Sequence, residues 1–285
     1  MEIINQPYSS RLGDKLKELL AKTGNERFDK FFILVAYAKS SGVKHLKSAL
    51  EQFKSKGGIV NAIVGIDQKN TSIEGLRLLN SLANRLFIYH NEIPTITFHP
   101  KMYMFEKENV KAVIFIGSGN LTEGGLYTNY ELKSLFELDL TSDIDRRQFS
   151  ELKAIFEHYS DTSSPLCKVA TEAQIQSLIQ KGYIRSEAEL SRDLIKHART
   201  GITRGEHVFG GESFVAPRIH PVVETTAKVK IPTMQDLFSS KGRLLWMKTN
   251  LPSSDAQQVS LGTSITGVLR FSQEGFTVNG SHIDH

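Results

Sequence analysis

Cysteine is nearly absent from this chain of 285 residues; Cys167 stands alone. That excludes an internal disulfide and a cysteine-built zinc site within one chain. Long apolar runs are missing too, none approaching the roughly 20 residues of a membrane-spanning helix. The opening M-E-I-I-N-Q-P-Y lacks the basic segment and apolar stretch of a signal peptide. A cytoplasmic location with no membrane partner is the expectation. Charge of one sign is also scarce. A net charge of +4 and a pI near 9.0 permit nucleic-acid binding without demanding it. There is no internal repeat and no low-complexity tract.

What is present is an alternation of helical and strand patterns. Residues 10–23 space Leu12, Leu16, Leu19 and Leu20 along one helical face. Residues 28–38 hold a continuous apolar core, Phe31 to Ala36, the pattern of a strand buried on both faces. A helix follows, capped at Ser40 or Ser41 and closed at Gly57 and Gly58. Next come a strand at 59–65, a helix at 72–82 and a strand at 85–89. This order predicts an α/β sandwich with a mixed, largely parallel sheet. Two further strands are expected at 102–105 and 112–116, another at 130–140, and a helix over 144–159 capped by Ser142 or Asp143. The breaker T-S-S-P at 162–165 ends the first domain, 1–165. A helical linker is expected over 166–200. Residues 201–285, rich in Gly, Ser, Thr and Val, predict a β-rich second domain. It is small for an independent unit, so it either packs on the rest or belongs to a longer form.

The chemistry gathers between Phe98 and Leu132. His99 and Lys101 are two apart, and on a strand such residues share a face. An imidazole and an ammonium converging on one point suit a phosphoryl group: the ring attacks phosphorus and the cation holds its oxygens. The G-S-G-N at 117–120 ends another expected strand. Its glycines permit a sharp turn, and Ser118 and Asn120 can donate to phosphate oxygens. Glu131 can accept from the second ring nitrogen of His99 and fix its tautomer. Each signal alone is weak. H-x-K arises by chance, and GSGN is more often a plain turn. Their order on consecutive strands is what is specific.

H-P-K, then G-S-G-N, then a later acidic residue resembles the signature of the phospholipase D superfamily, H-x-K-x4-D-x6-G-S-x-N. Two departures exist. Glu106 stands where the Asp falls, and ten residues separate it from Gly117. Both are shared by the branch of restriction endonucleases that includes BfiI and NgoFVII. The V-A-Y-A run at 35–38 is similar to that branch as well. The resemblance covers residues 25–140 and implies a metal-independent phosphodiesterase needing no cofactor. In it His99 is the nucleophile that forms a phosphohistidine, Lys101, Asn120 and Ser118 bind phosphate, and Glu131 orients the histidine. The family needs a second histidine to protonate the leaving oxygen, and this chain has no second H-x-K with a G-S-x-N of its own; the H-L-K at 45–47 falls in the helical pattern after Ser41. A two-fold homodimer then supplies it. The branch also implies a B3-like DNA-recognition domain at 201–285. Double-stranded DNA and a second copy of the chain are the expected partners, with restriction–modification proteins as further ones.

Several other residues invite a functional reading and carry a plainer one. His90 reads as an ordinary surface histidine. His282 and His285 read as a tail rather than a metal pair. Trp246 reads as core rather than a base-stacking platform. Arg192, Lys196 and Arg199 share a helix face that reads as solvated. Asp67, Lys69 and Asn70 either border the site or form a surface loop. Three rivals to a restriction enzyme stay open: a nonspecific nuclease of the same superfamily, a lipid phosphodiesterase, and an inactive DNA-binding relative. The β-rich stretch at 201–285 argues against the first. The lack of a signal peptide or apolar surface segment argues against the second. The joint presence of His99, Lys101, Asn120 and Glu131 argues against the third.

Overall fold

A computed structural model describes residues 1–192 and 210–219. The expected β-rich domain, Trp246, the His282/His285 pair and the outer part of the Arg192 helix face lie outside the described residues. The elements in chain order are β1 (Glu2–Gln6), α1 (Leu12–Ala21), β2 (Lys30–Val35), α2 (Ser40–Ser55), β3 (Ile59–Gly65), α3 (Ile73–Leu82) and β4 (Arg85–Tyr89). Then follow β5 (Lys101–Lys107), β6 (Lys111–Gly117), β7 (Glu131–Asp139), α4 (Asp143–Ser160), β8 (Cys167–Val169) and α5 (Glu172–Gln180). All eight strands form one sheet in the order β1-β7-β6-β5-β2-β3-β4-β8.

The apolar run in β2 follows from its central place. Phe31, Ile33 and Val35 point into one core with α1, α2, α3 and α5. Phe32 and Leu34 point into the other, with Phe149 and Phe156 of α4. A strand buried on both faces has no position for polar alternation. The expected α/β sandwich is therefore present, and the sheet is mixed.

Its weighting differs from the expectation. Only β2–β3 and β3–β4 run parallel. The remaining five neighbouring pairs are antiparallel. The reason lies in the connections. β5 and β6 are joined by a tight turn at 107–111, with Asn109 left-handed (φ 57°), too short for a parallel crossover. The stretch expected as a helical linker also differs. Its first part, Cys167–Val169, pairs with β4 as the far edge strand, and Ile175 and Leu178 of α5 enter the main core. Cys167 is fully buried, so this segment completes the first domain rather than leaving it. The caps differ as well. Lys39 is the N-cap of α2, and neither it nor Ser142 of α4 makes a side-chain cap bond. The Ser40 hydroxyl instead donates to Glu187 at 2.7 Å, tying the chain after α5 to the start of α2.

Four strand ends meet at one end of the sheet. Val35, the last residue of β2, is opposite Lys101, the first of β5. Met102 is opposite Ile116, just before the end of β6. Gly117 is opposite Lys133, near the start of β7. The phosphate-binding candidates stand on this edge.

Candidate active site

His99 lies two residues before the start of β5 rather than on it, so strand alternation alone does not bring it to Lys101. The chain does so locally: the Lys101 Nζ donates to His99 Nδ1 at 2.7 Å and to the His99 carbonyl at 2.9 Å. Lys101 is 7% exposed, whereas His99 faces solvent. Partial desolvation of the ring, and then the neighbouring ammonium, hold the His99 pKa below its usual value. Burial also lowers the Lys101 pKa, while the Glu131 carboxylate works the other way.

The G-S-G-N turn is sewn to the end of β2. The Tyr37 N–H donates to Asn120 Oδ1 at 3.0 Å. Leu121 exchanges backbone bonds with Tyr37 and Lys39 on either side. With its oxygen so engaged, the Asn120 amide has its Nδ2 left as the donor. A Cβ on Gly125 would come within 2.3 Å of the Asn120 carbonyl oxygen, so the short helical turn Gly124–Thr128 can press on Asn120 only through a glycine. Tyr37 also sets its ring edge against the His99 ring, centroids 5.9 Å apart.

Glu131 is placed differently from the sequence expectation. Its bonds run to the Ser118 hydroxyl and, at 3.3 Å, to Asn129 Nδ2; within one chain it does not bond His99. One ring nitrogen of His99, Nδ1, is held instead by Lys101. The geometry thus brings His99, Lys101 and Tyr37 into one group, and Ser118 and Glu131 into another on the next strands. Asn120 joins the two through Tyr37.

Two features lay outside the sequence reading. Lys133 is 2% exposed and donates to Gln6 Oε1 at 3.2 Å. Its aliphatic end lies beneath Gly119, where a Cβ would fall 2.4 Å from the Lys133 Cε. Burial pushes its pKa down to about 8, with Glu131 opposing. The second is Asp67, which is 5% exposed and bonds His90 Nδ1. His90 is thus a paired, half-buried group rather than an ordinary surface histidine, and Asp67 belongs to the interior. No sequence signal separated this loop from a surface one. Among the described residues, no cluster of three or more His, Cys, Asp or Glu is placed to hold a metal, and no helix is long and apolar enough to cross a membrane.

The Lys133 geometry makes a prediction about pH. Its pKa is about 8 folded, against 10.5 as the ordinary lysine value. Between these the unfolded chain binds a proton that the folded chain releases, so stability rises with pH across that window and is lost as pH falls through about 8. In denaturant titrations from pH 7 to 10, Lys133→Met is expected to be the more stable chain at pH 7, with its advantage shrinking as pH rises. A constant difference would show that Lys133 is not a buried cation.

Residues 14–168 match the family model of the NgoFVII restriction endonuclease N-terminal PLD domain. The chain belongs to this family. It is accordingly an enzyme of the phosphodiesterase and nuclease class, with a phospholipase D-type fold. Solved structures are similar at lower levels. Nuc from Salmonella typhimurium, a phospholipase D family member, gives a TM-score of 0.41 at 15% identity over 60% of this chain and 97% of that one. NucT from Helicobacter pylori gives 0.41 at 15% over 55% and 94%. Phosphatidylserine synthase of Haemophilus influenzae Rd KW20 gives 0.41 at 12% over 68% and 46%. At these scores nothing further about this chain follows from them. No curated protein matches the sequence.

Proposed function

We propose that this chain is a cytoplasmic DNA endonuclease of restriction type that hydrolyses phosphodiesters without a metal, through a covalent phosphohistidine, at a site completed by a second copy. The observation that carries the proposal is the Lys101–His99 contact at 2.7 Å beside the Asn120 turn, in a chain whose H-P-K occurs once. A scissile phosphate entering here draws the Lys101 ammonium to its oxygens and frees the imidazole nitrogen. An unprotonated ring nitrogen attacks phosphorus, forming a P–N bond while the P–O bond to the leaving strand breaks. The departing oxygen takes a proton from a second, protonated imidazole. That ring then takes a proton from water, and the water oxygen displaces the histidine. Lys101 and Asn120 Nδ2 meet the charge that develops on the phosphoryl oxygens, joined by Ser118 once its hydroxyl proton turns from Glu131 to the phosphate, which is the task a metal performs in other nucleases. Glu131 holds Ser118 in place rather than the ring within its own chain.

One chain offers one such histidine, and the sheet suggests where the other comes from. The face of β6, β7 and β1 beyond α4 leaves Ile3, Ile116 and Leu132 exposed at 51%, 39% and 60%. Ile3 and Ile116 lie on either side of Ser134, and Leu132 abuts Ser118. An apolar surface touching half a site favours a second copy across a two-fold axis. Sequence recognition on double-stranded DNA is assigned to residues 201–285, and a modification enzyme would protect host sites. The test is plasmid cleavage in excess EDTA. Discrete fragments are expected; a requirement for added divalent metal sinks the mechanism, and a smear favours a nonspecific nuclease.

A further inference from the structure

Asp67 stands apart from the catalytic group, yet it is the buried acid closest in bonding to it. It follows β3, is 5% exposed and has no lysine or arginine partner among the described residues. A buried carboxylate is costly unless its oxygens are engaged. Here both are: His90 Nδ1 donates to Oδ1, and the Phe98 backbone N–H donates to Oδ2 at 2.5 Å. Phe98 immediately precedes His99. Its ring is packed in turn against Tyr89 and Tyr159, with centroids 4.6 and 5.1 Å away. The residues after Asp67 turn back toward the same histidine. Gln68 and Lys69 are left-handed without being glycine (φ 55° and 56°). This brings Gln68 Oε1 to the Tyr37 hydroxyl at 3.0 Å, and Tyr37 flanks the His99 ring. Strained backbone of this kind persists where the surroundings fix it.

We infer that Asp67 is a positioning residue for the reaction: by holding the Phe98 N–H it fixes the backbone from which His99 projects, while the loop it begins steadies Tyr37 on the other side of the ring. This rests on the nuclease reading given above. The carboxylate does not touch the phosphate, so its loss acts on the placement of the nucleophile and not on DNA affinity. A misplacement of about 1 Å at a reacting atom costs on the order of 100-fold in rate.

The test compares Asp67→Ala and Asp67→Asn in the full chain. Rates are measured per folded molecule on saturating supercoiled plasmid, alongside hydrogen exchange of the Phe98 amide. Asp67→Ala is expected to lower the saturated rate about 100-fold, with KM within about twofold. It should also speed Phe98 exchange by about tenfold or more. Asp67→Asn keeps a carbonyl oxygen for the Phe98 N–H and is expected to recover the rate to within about fivefold of wild type. A tie that only stabilises the fold would lower the folded fraction and leave the rate of folded molecules alone. If Asp67→Ala does not fold, Asp67→Ser takes its place with the same expectation. A saturated rate like that of wild type, unchanged Phe98 exchange, or an asparagine variant as slow as alanine overturns the assignment. A wild-type chain that cuts no DNA refutes the nuclease reading instead, and the Phe98 exchange then decides on its own whether Asp67 holds the segment.

Discussion

Replacing His99 by alanine is expected to abolish plasmid cleavage, by about 10⁴-fold or more, while leaving the fold intact. The size of the loss follows from the role. A nucleophile that forms the P–N bond has no stand-in among the groups beside it, since Lys101 is buried and serves as a cation. The fold should tolerate the change because His99 is exposed and its only described side-chain bond is to Lys101. Unaltered circular dichroism and thermal unfolding beside a dead enzyme would make the case. The pH profile sharpens it. A symmetric pair of such histidines reacts with one ring neutral and the other protonated, so the rate is a bell whose apparent pKa values belong to the pair. Partial desolvation and Lys101 both lower the His99 pKa from 6.5, which places the centre of that bell on the acid side of 6.5. The acid limb reports loss of the neutral nucleophile, and the alkaline limb loss of the protonated acid. A bell centred above pH 7, or a His99→Ala chain that still cuts, would remove His99 from both roles.

Much of this was open to reading from the residues, for reasons visible in the structure. The central strands announce themselves because two-sided burial leaves an unbroken apolar run, as in Phe31 to Ala36. The site announces itself because His99, Lys101, Ser118 and Asn120 gather polar and basic groups at the ends of such strands, in the order of a phosphate site. The edges of the sheet were less legible. β1 is a short sequence, E-I-I-N-Q, with three of its five residues in solvent, and β8 spans only Cys167 to Val169. Edge strands need little hydrophobicity, so pattern does not find them. Contacts between residues far apart in sequence were also out of reach. The pairing of Asp67 with Phe98 and the seat of Tyr37 on Asn120 depend on how the loops close. The most telling case is the start of β7. Alternation through E-L-K-S-L points Leu132 inward with Phe136 and Leu138, and Lys133 outward with Glu131. The structure does the reverse at this end: Lys133 is buried and Leu132 is 60% exposed. A strand that turns its lysine in and its leucine out violates the ordinary pattern at two adjacent positions. The lysine is explained by the turn it supports. The leucine asks for a partner.

That partner, if it is a second copy, gives the other large effect. Leu132→Asp together with Ile116→Asp is expected to convert a dimer to a monomer and to lower cleavage by about 10²–10⁴-fold, the loss that follows when a reaction is deprived of its general acid. Leu132 is 60% and Ile116 39% exposed in the single chain, so the first substitution should cost little folding stability and the second only a modest amount. Sedimentation would report the change of mass, and raising the protein concentration should recover part of the rate as monomers are driven together. A mixing experiment separates a shared site from two independent ones without touching the interface. When wild type and His99→Ala chains are refolded together in equal amounts, random pairing makes about one quarter of the dimers wild type on both sides. If each reaction needs the histidines of both chains, the mixture has about a quarter of the activity of the same total of wild type. If each chain works alone, it has about half. A quarter, together with a monomeric and inactive Leu132→Asp/Ile116→Asp chain, joins the exposed leucine and the single H-P-K in one cause: the phosphate site is built from two copies of the same strand ends. A monomeric wild type that cuts, or a mixture at one half, would return Leu132 and Ile116 to the surface as unexplained and leave the second proton donor to be found within one chain.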